Sequence, residues 1–191
     1  MTAPWRSPLS RALHRNRAAP DARYFQLATV RPDGSPANRT VVFRDFREGT
    51  DEVQIVCDRR SQKPEQIRHE QQGEICWYFP KTREQFRLSG VLNLVSMEET
   101  EPALREARTA AWQAMSDSGR LLFVWPHPAQ PRKPDVLFTD EPPDAATPVD
   151  NFCLLTLVPS LVDHLELRGE PQNRWRYAFE NGDWTVVEVN P

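Results

Sequence analysis

Tyr24-Phe25-Gln26-Leu27-Ala28-Thr29-Val30, then Arg31-Pro32-Asp33-Gly34-Ser35-Pro36, then Arg39-Thr40-Val41-Val42-Phe43-Arg44: these three stretches follow one another along the chain. The first and third are rich in β-branched and aromatic residues. Pro-Asp-Gly between them presets a turn, so the unit reads as a hairpin. Working outward, Val53–Cys57, Glu74–Phe79 and Gln85–Val95 are further strand candidates, with Pro80 stopping the second and Gly90 marking a bulge or bend in the third. Phe152–Val158, Leu161–Leu167, Arg174–Phe179 and Trp184–Val189 continue the series. Helical spacing predicts a surface helix over Ser7–Arg17 with Leu9 and Leu13 on its inner face. It predicts a second helix from Ser61, a good N-cap, to about Gln72. A third should span about Glu101–Met115, with Leu104, Ala107, Ala111 and Met115 on one face. Many short strands with a few helices indicate an α+β chain, mainly β, built on a small barrel.

The rest of the composition narrows the classes. With 191 residues the chain suits one domain over 1–191, with an arm at 1–23 and a Pro-rich loop at 126–148. That loop carries seven of the 18 prolines; it reads as an ordered surface segment or, by composition, as disorder. The arm is basic and acid-poor, which is also a transit-peptide composition, but the i, i+4 leucines favour the helix. No apolar run is long enough to cross a membrane. A net charge of −3 speaks against bulk nucleic-acid binding. Three distant cysteines, Cys57, Cys76 and Cys153, read as reduced thiols of a cytoplasmic chain. There is no GxGxxG, GxxxxGK[ST], GxSxG or CxxC, and no histidine pair at ligand spacing, so no metal site is expected. His164 and His127 remain open as axial haem ligands.

One stretch has anion chemistry. Asp58-Arg59-Arg60-Ser61-Gln62-Lys63 leaves a strand and enters a helix, whose first N–H groups are free and positively polarised. Ser61 adds a hydroxyl, Lys63 a charge, and Arg59 and Arg60 further charge, which together make a competent phosphate cradle; a capped helix with solvated charges is the plain alternative. Arg39, one hairpin away, begins a strand whose backbone edge would suit a flat ring with a phosphate tail.

Together these residues resemble the pyridoxine/pyridoxamine 5′-phosphate oxidase-like family, the FMN-binding split β-barrels of Greek-key type, and within it a subgroup common in cyanobacteria and plants. The resemblance rests on Arg39–Arg44, on Ser61-Gln62-Lys63, on Arg83–Gly90, and on Asn173–Tyr177 followed by Trp184 and Asn190-Pro191. It implies FMN as cofactor, held at the interface of a homodimer. Arg39, Ser61 and Lys63 fall where the family holds the FMN phosphate. Gln62 stands where the oxidase has Arg, a contact that Arg59 or Arg60 would have to replace. Thr40, Val41 and Val42 fall where strand backbone faces the flavin ring. Arg44 takes the place of a lysine that touches flavin and substrate, and Cys57 lies near a flavin-contacting Thr. Gln85 matches a Gln that reaches the flavin across the dimer, and Arg174 a C-terminal flavin contact. Ser118 and Arg120 fall in a stretch that supplies further phosphate contacts.

The departures bear on the substrate. Where the oxidase holds the vitamin B6 phosphate with an Arg-x-His trio, this chain reads Glu170-Pro171-Gln172. A carboxylate there repels phosphate. The expectation is therefore an FMN-dependent oxidoreductase on a small molecule with an altered substrate site. The alternative is a non-catalytic flavin- or haem-binding dimer acting as carrier or sensor. Trp77, Tyr78 and Phe79 are candidates for either the core or the dimer interface.

Overall fold

The computed structural model describes residues 2–191. Helix α1 (Arg6–Asn16) is followed by β1 (Tyr24–Val30), β2 (Pro36–Val42), the short β3 (Asp45–Phe46), β4 (Val53–Asp58), helix α2 (Gln62–His69), β5 (Gln72–Phe79) and β6 (Glu84–Val95). Helices α3 (Pro102–Gln113) and α4 (Asp117–Leu121), a 3₁₀ turn at Asp135–Leu137, and strands β7 (Phe152–Glu166), β8 (Asn173–Glu180) and β9 (Asp183–Val189) complete the chain. Every strand pair is antiparallel.

The strands run in the order β2-β1-β5-β6-β7-β4-β3, with β8 and β9 added along β7. The first and last members of that order, β2 and β3, are consecutive in sequence. The sheet therefore curls until its two ends are joined by Phe43 and Arg44, and the Arg44 N–H donates to the Gln54 carbonyl at 2.9 Å. This is a split barrel. Its interior is aromatic: Trp77 lies 5.0 Å from Phe25, 4.9 Å from Phe43 and 5.1 Å from Phe79, ring centre to ring centre. Trp77 and Phe79 are buried while Tyr78 between them is exposed, so strand alternation divides the aromatic trio between core and surface. Trp5, fully buried, packs edge-on against Trp184 and joins the α1 arm to the β8–β9 hairpin. Asp51 accepts from the Ala3 N–H and from Arg6.

Three expectations need correction. The two strands expected over 152–158 and 161–167 are one strand, β7, running through Pro159. The reason lies opposite, where the β6–β7 register shifts between Ser89 and Gly90 and leaves a bulge that needs no N–H from proline. Gly90 makes this possible, since a Cβ there would lie 2.0 Å from the Val158 carbonyl oxygen. Second, α2 ends at His69 rather than Gln72, because Gln72 already pairs with Val91 in the sheet. Third, Ser61 occupies the N-cap position without capping: its hydroxyl donates back to the Asp58 carbonyl.

The Pro-rich segment 126–148 is fastened by side chains that donate to its carbonyls. Trp112 reaches Asp144, Gln113 reaches Ala146, and Trp125 reaches Thr139. A second apolar cluster forms beneath it from α3, Phe123, Phe152 and Leu154, and includes the Leu104, Ala107, Ala111 and Met115 face.

Candidate functional site

The structure gathers the expected site residues into three places. The first is a corner between β1, β2 and α2. Arg39 lies on the same face of β2 as buried Ala37 and Val41, an unusual position for a cation. Its Nη1 donates to Thr29 Oγ1 at 2.6 Å and its Nη2 to Gln66 Oε1 at 2.7 Å; Thr29 in turn donates to Gln66 at 2.7 Å. Thr29 and Gln66 are each 2% exposed, and neither carries charge. The guanidinium is thus oriented but not neutralised, and burial with Arg31 nearby lowers its pKa. Lys63 sits one turn from Gln66 on the same face of α2. Because the Ser61 hydroxyl is turned away, the N–H groups of Gln62 and Lys63 at the start of α2 are left free. Pro64, next in line, has no N–H to leave unpaired.

The second place is a cleft of about 890 Å³ where β2 passes into β3, facing α3. Val42, Phe43 and Arg44 line one side, and Ala103, Ala107, Ala110, Ala111 and Ala114 the other. Arg44 is half-buried, its Nε has no hydrogen-bond partner, and burial followed by the charge of Arg23 lowers its pKa. Among the described residues no carboxylate lies within ion-pair distance of it. Arg23 spends its donors on the carbonyls of Phe43 and Arg44.

The third place is a row across the sheet. Gln85 on β6 pairs with Leu165 on β7, which pairs with Arg174 on β8, so all three side chains share one face. Arg174 is held by Asp163 through two hydrogen bonds at 3.0 and 2.8 Å. Three strand steps, β1, β5 and β6, separate β2 from this row within one chain.

β2 is an end strand, paired only through β1, so the far backbone edge of Thr40, Val41 and Val42 carries no ladder. Thr40 is exposed and Val42 half-buried, whereas the Val41 side chain faces the core. The Cys57 side chain is buried opposite Cys153, and the hydrogen bond between the two thiols, with burial, pushes its pKa well up.

Comparison with known proteins gives this arrangement a lineage. A protein-family model described as pyridoxamine 5′-phosphate oxidase, FMN-binding domain, matches residues 2–96. Pyridoxine/pyridoxamine 5′-phosphate oxidase 2 of Arabidopsis thaliana is 37% identical over 194 residues, covering 99% of this chain and 98% of that protein. The chain belongs to the pyridoxamine 5′-phosphate oxidase-like family. A crystal structure of a pyridoxamine 5′-phosphate oxidase-related, FMN binding protein from Nostoc punctiforme is 53% identical, with a TM-score of 0.97 and full coverage of both chains. PhzG from Burkholderia lata, solved with tetrahydrophenazine-1-carboxylic acid, shares the fold at a TM-score of 0.78 and 18% identity, over 100% of this chain and 94% of that one.

Set against the family pattern, several expected contacts have other employment. Arg60 forks onto Asp58 and also donates to the Trp125 and Phe123 carbonyls, and Arg59 pairs with Glu98 at 3.2 Å. Arg60 is thereby committed to the fold, Arg59 keeps only an exposed surface pair, and Gln62 is itself exposed. Arg120 is buried, donating to the Met115 and Trp112 carbonyls and pairing with Asp117, so it serves the end of α3 rather than a ligand; Ser118 is exposed. His164 is 2% exposed, bonded to Glu84 at 3.0 Å and stacked on Phe86 with ring centres 4.0 Å apart, which leaves it no access to a haem iron. His127 is exposed in the Pro-rich segment. Glu170-Pro171-Gln172 lies in the β7–β8 connection with Glu170 exposed. Sequence reasoning missed Thr29 and Gln66, the two neutral acceptors that aim Arg39.

Proposed function

We propose that this chain is an FMN-dependent oxidoreductase acting on a small molecule other than a B6 phosphate, with the cofactor held between two copies of the chain. The observation that carries the reading is the Arg39 corner: a guanidinium aimed by two neutral buried side chains, a lysine on the adjoining helix face, and free N–H groups at that helix's start. A phosphate monoester fits such a set, because it supplies the negative charge and acceptor oxygens that the corner lacks. Arg39 and Lys63 hold the phosphate, with the Gln62 and Lys63 N–H groups completing the shell. The unpaired edge of Thr40–Val42 runs beside the ring, and Arg44 stands at its far end.

Gln85 and Arg174 belong to the same site in this reading but lie across the sheet from Arg39. Two copies would bring the corner of one against the row of the other, which supports a homodimer with composite sites. When bound, FMN supplies hydride or electron transfer. The chain's contribution is to position it, to exclude water, and to set charge at its edges. Glu170 in place of a phosphate-holding arginine supports a changed substrate.

The test is direct. Purified protein should be yellow and retain FMN through gel filtration as a dimer, and Lys63→Ala should weaken FMN about tenfold through loss of one charge-assisted contact. A colourless protein that ignores added FMN refutes the reading. An anaerobic screen for flavin bleaching identifies the substrate, and peroxide release from pyridoxamine 5′-phosphate would overturn the exclusion of B6 phosphates. Uptake of FMN without bleaching by any donor would favour a flavin carrier.

A further inference from the structure

The cleft beside Arg44 has a chemical character of its own, and its occupant can be specified further; this rests on the proposed flavoenzyme reading. Its volume, about 890 Å³, accommodates a molecule of two or three fused rings. One wall is the α3 stripe Ala103, Ala107, Ala110, Ala111 and Ala114, which offers methyl groups and no hydrogen-bonding side chain. Ala103, Ala110 and Ala114 are exposed, so the stripe is not consumed by core packing along its length. Such a wall can be wetted or it can cover a flat apolar face, and it cannot read hydroxyls or amides.

The opposite side has one cation with donors to spare, near the amide of Gln54. Arg44 is half-buried, carries an unpartnered Nε, and has the Arg23 charge beside it with no carboxylate between them. Arg47, also on the cleft, is taken by Glu52 at 2.5 Å. The acidic residues of the rim, Asp45, Glu48 and Glu106, are all exposed. They surround two cations, Arg44 and Arg23, neither of which has an ion pair among the described residues. Two guanidinium charges against three rim carboxylates leave the cleft net negative, which disfavours a dianion more than a monoanion, and the Arg23 donors are spent on the Phe43 and Arg44 carbonyls. A planar carboxylate matches the Arg44 fork with a single charge.

We propose that this cleft binds a small planar, mostly apolar monocarboxylate, with Arg44 taking the carboxylate and the alanine face of α3 covering the ring. The substrate class of the site is then aromatic or alicyclic carboxylic acids rather than phosphate esters.

Three probes of one shape decide it: 2-naphthoate, neutral 2-naphthamide and 2-naphthyl phosphate, each titrated calorimetrically into the protein as purified. Naphthoate should bind at least tenfold tighter than either of the others. Arg44→Gln should erase the preference for naphthoate over the amide. Ala110→Trp, at an exposed helix position that tolerates bulk, should weaken naphthoate at least tenfold while the protein keeps its FMN. Equal affinity for acid and amide, tightest binding of the phosphate, or indifference to tryptophan at 110 would each overturn the proposal. Should the protein take up no FMN, the cofactor reading fails on that measurement alone, and the same titrations on the flavin-free protein still decide the cleft.

Discussion

The Arg39 corner, on β2, and the Arg44 cleft, just past its end, begin five residues apart, and each presents an arginine without an acid. They differ in what surrounds the charge. Arg39 has neutral oxygens at 2.6 and 2.7 Å, so its donors point in a fixed direction before any ligand arrives. Arg44 has an orphaned Nε and a wall of methyl groups, so its direction is set by whatever enters. In the proposed reading the first holds one group permanently, as a cofactor phosphate requires, and the second is filled and emptied. On that reading pre-organisation separates a cofactor subsite from a substrate subsite in residues of the same type.

The comparison can be broken by mutation. The largest effect should come from Arg39→Ala, which removes a charge-assisted contact worth about 2–3 kcal/mol and should weaken FMN about 30- to 100-fold in fluorescence titration. An unchanged affinity would mean that the corner is structural. Thr29→Val keeps the volume and removes the hydroxyl that aims Arg39. Stability should fall by about 1–2 kcal/mol in urea unfolding, because Gln66 and Arg39 each lose a buried partner.

A third measurement calibrates both regions against a buried hydrogen-bonded carboxylate outside them. Burial alone would raise the Glu84 carboxyl, but hydrogen bonds from His164 and Thr82 outweigh it and hold the pKa below the ordinary value. The folded value lies below the unfolded one. Its contribution is therefore complete above about pH 5 and is lost as pH falls through the folded value. Urea midpoints between about pH 6 and 3 should decline less in Glu84→Gln than in the parent. The smallest effect should be that of Arg44→Gln on stability, within about 0.5 kcal/mol, since the residue has no ion pair to lose. A large loss there would make Arg44 a fold residue and remove the contrast.

Much of the fold was legible because its signals are local. Alternating Trp77-Tyr78-Phe79, the Pro32-Asp33-Gly34 turn and the Leu9 face of α1 each fix an element without reference to the rest. The continuity of β7 was not legible, because the tolerance of Pro159 depends on Gly90, which is distant in sequence. The Arg39–Lys63 pairing could be read from motif order, yet Thr29 and Gln66 could not, since ordinary β and helix residues become ligand-aiming groups only when packed together. The cleft was hidden for a similar reason. Ala107 and Ala111 have core spacing, and nothing in the spacing says that Ala103, Ala110 and Ala114 stay uncovered. Arg60 and Arg120 show the converse: two arginines in promising motifs that the fold spends on backbone carbonyls.

The fork in β7 bears on how the chain is made. Its first half pairs with β4, its second half with β8, and β6 runs along its whole length. The strand that joins these elements is therefore synthesised after nearly four-fifths of the chain, roughly a hundred residues beyond β4 (Val53 against Leu157). Until it emerges from the ribosome, β4 and β6 are open edges flanking an aromatic interior. A nascent chain stopped near residue 150 would be a template for intermolecular pairing, and barrel closure becomes a late, non-local step.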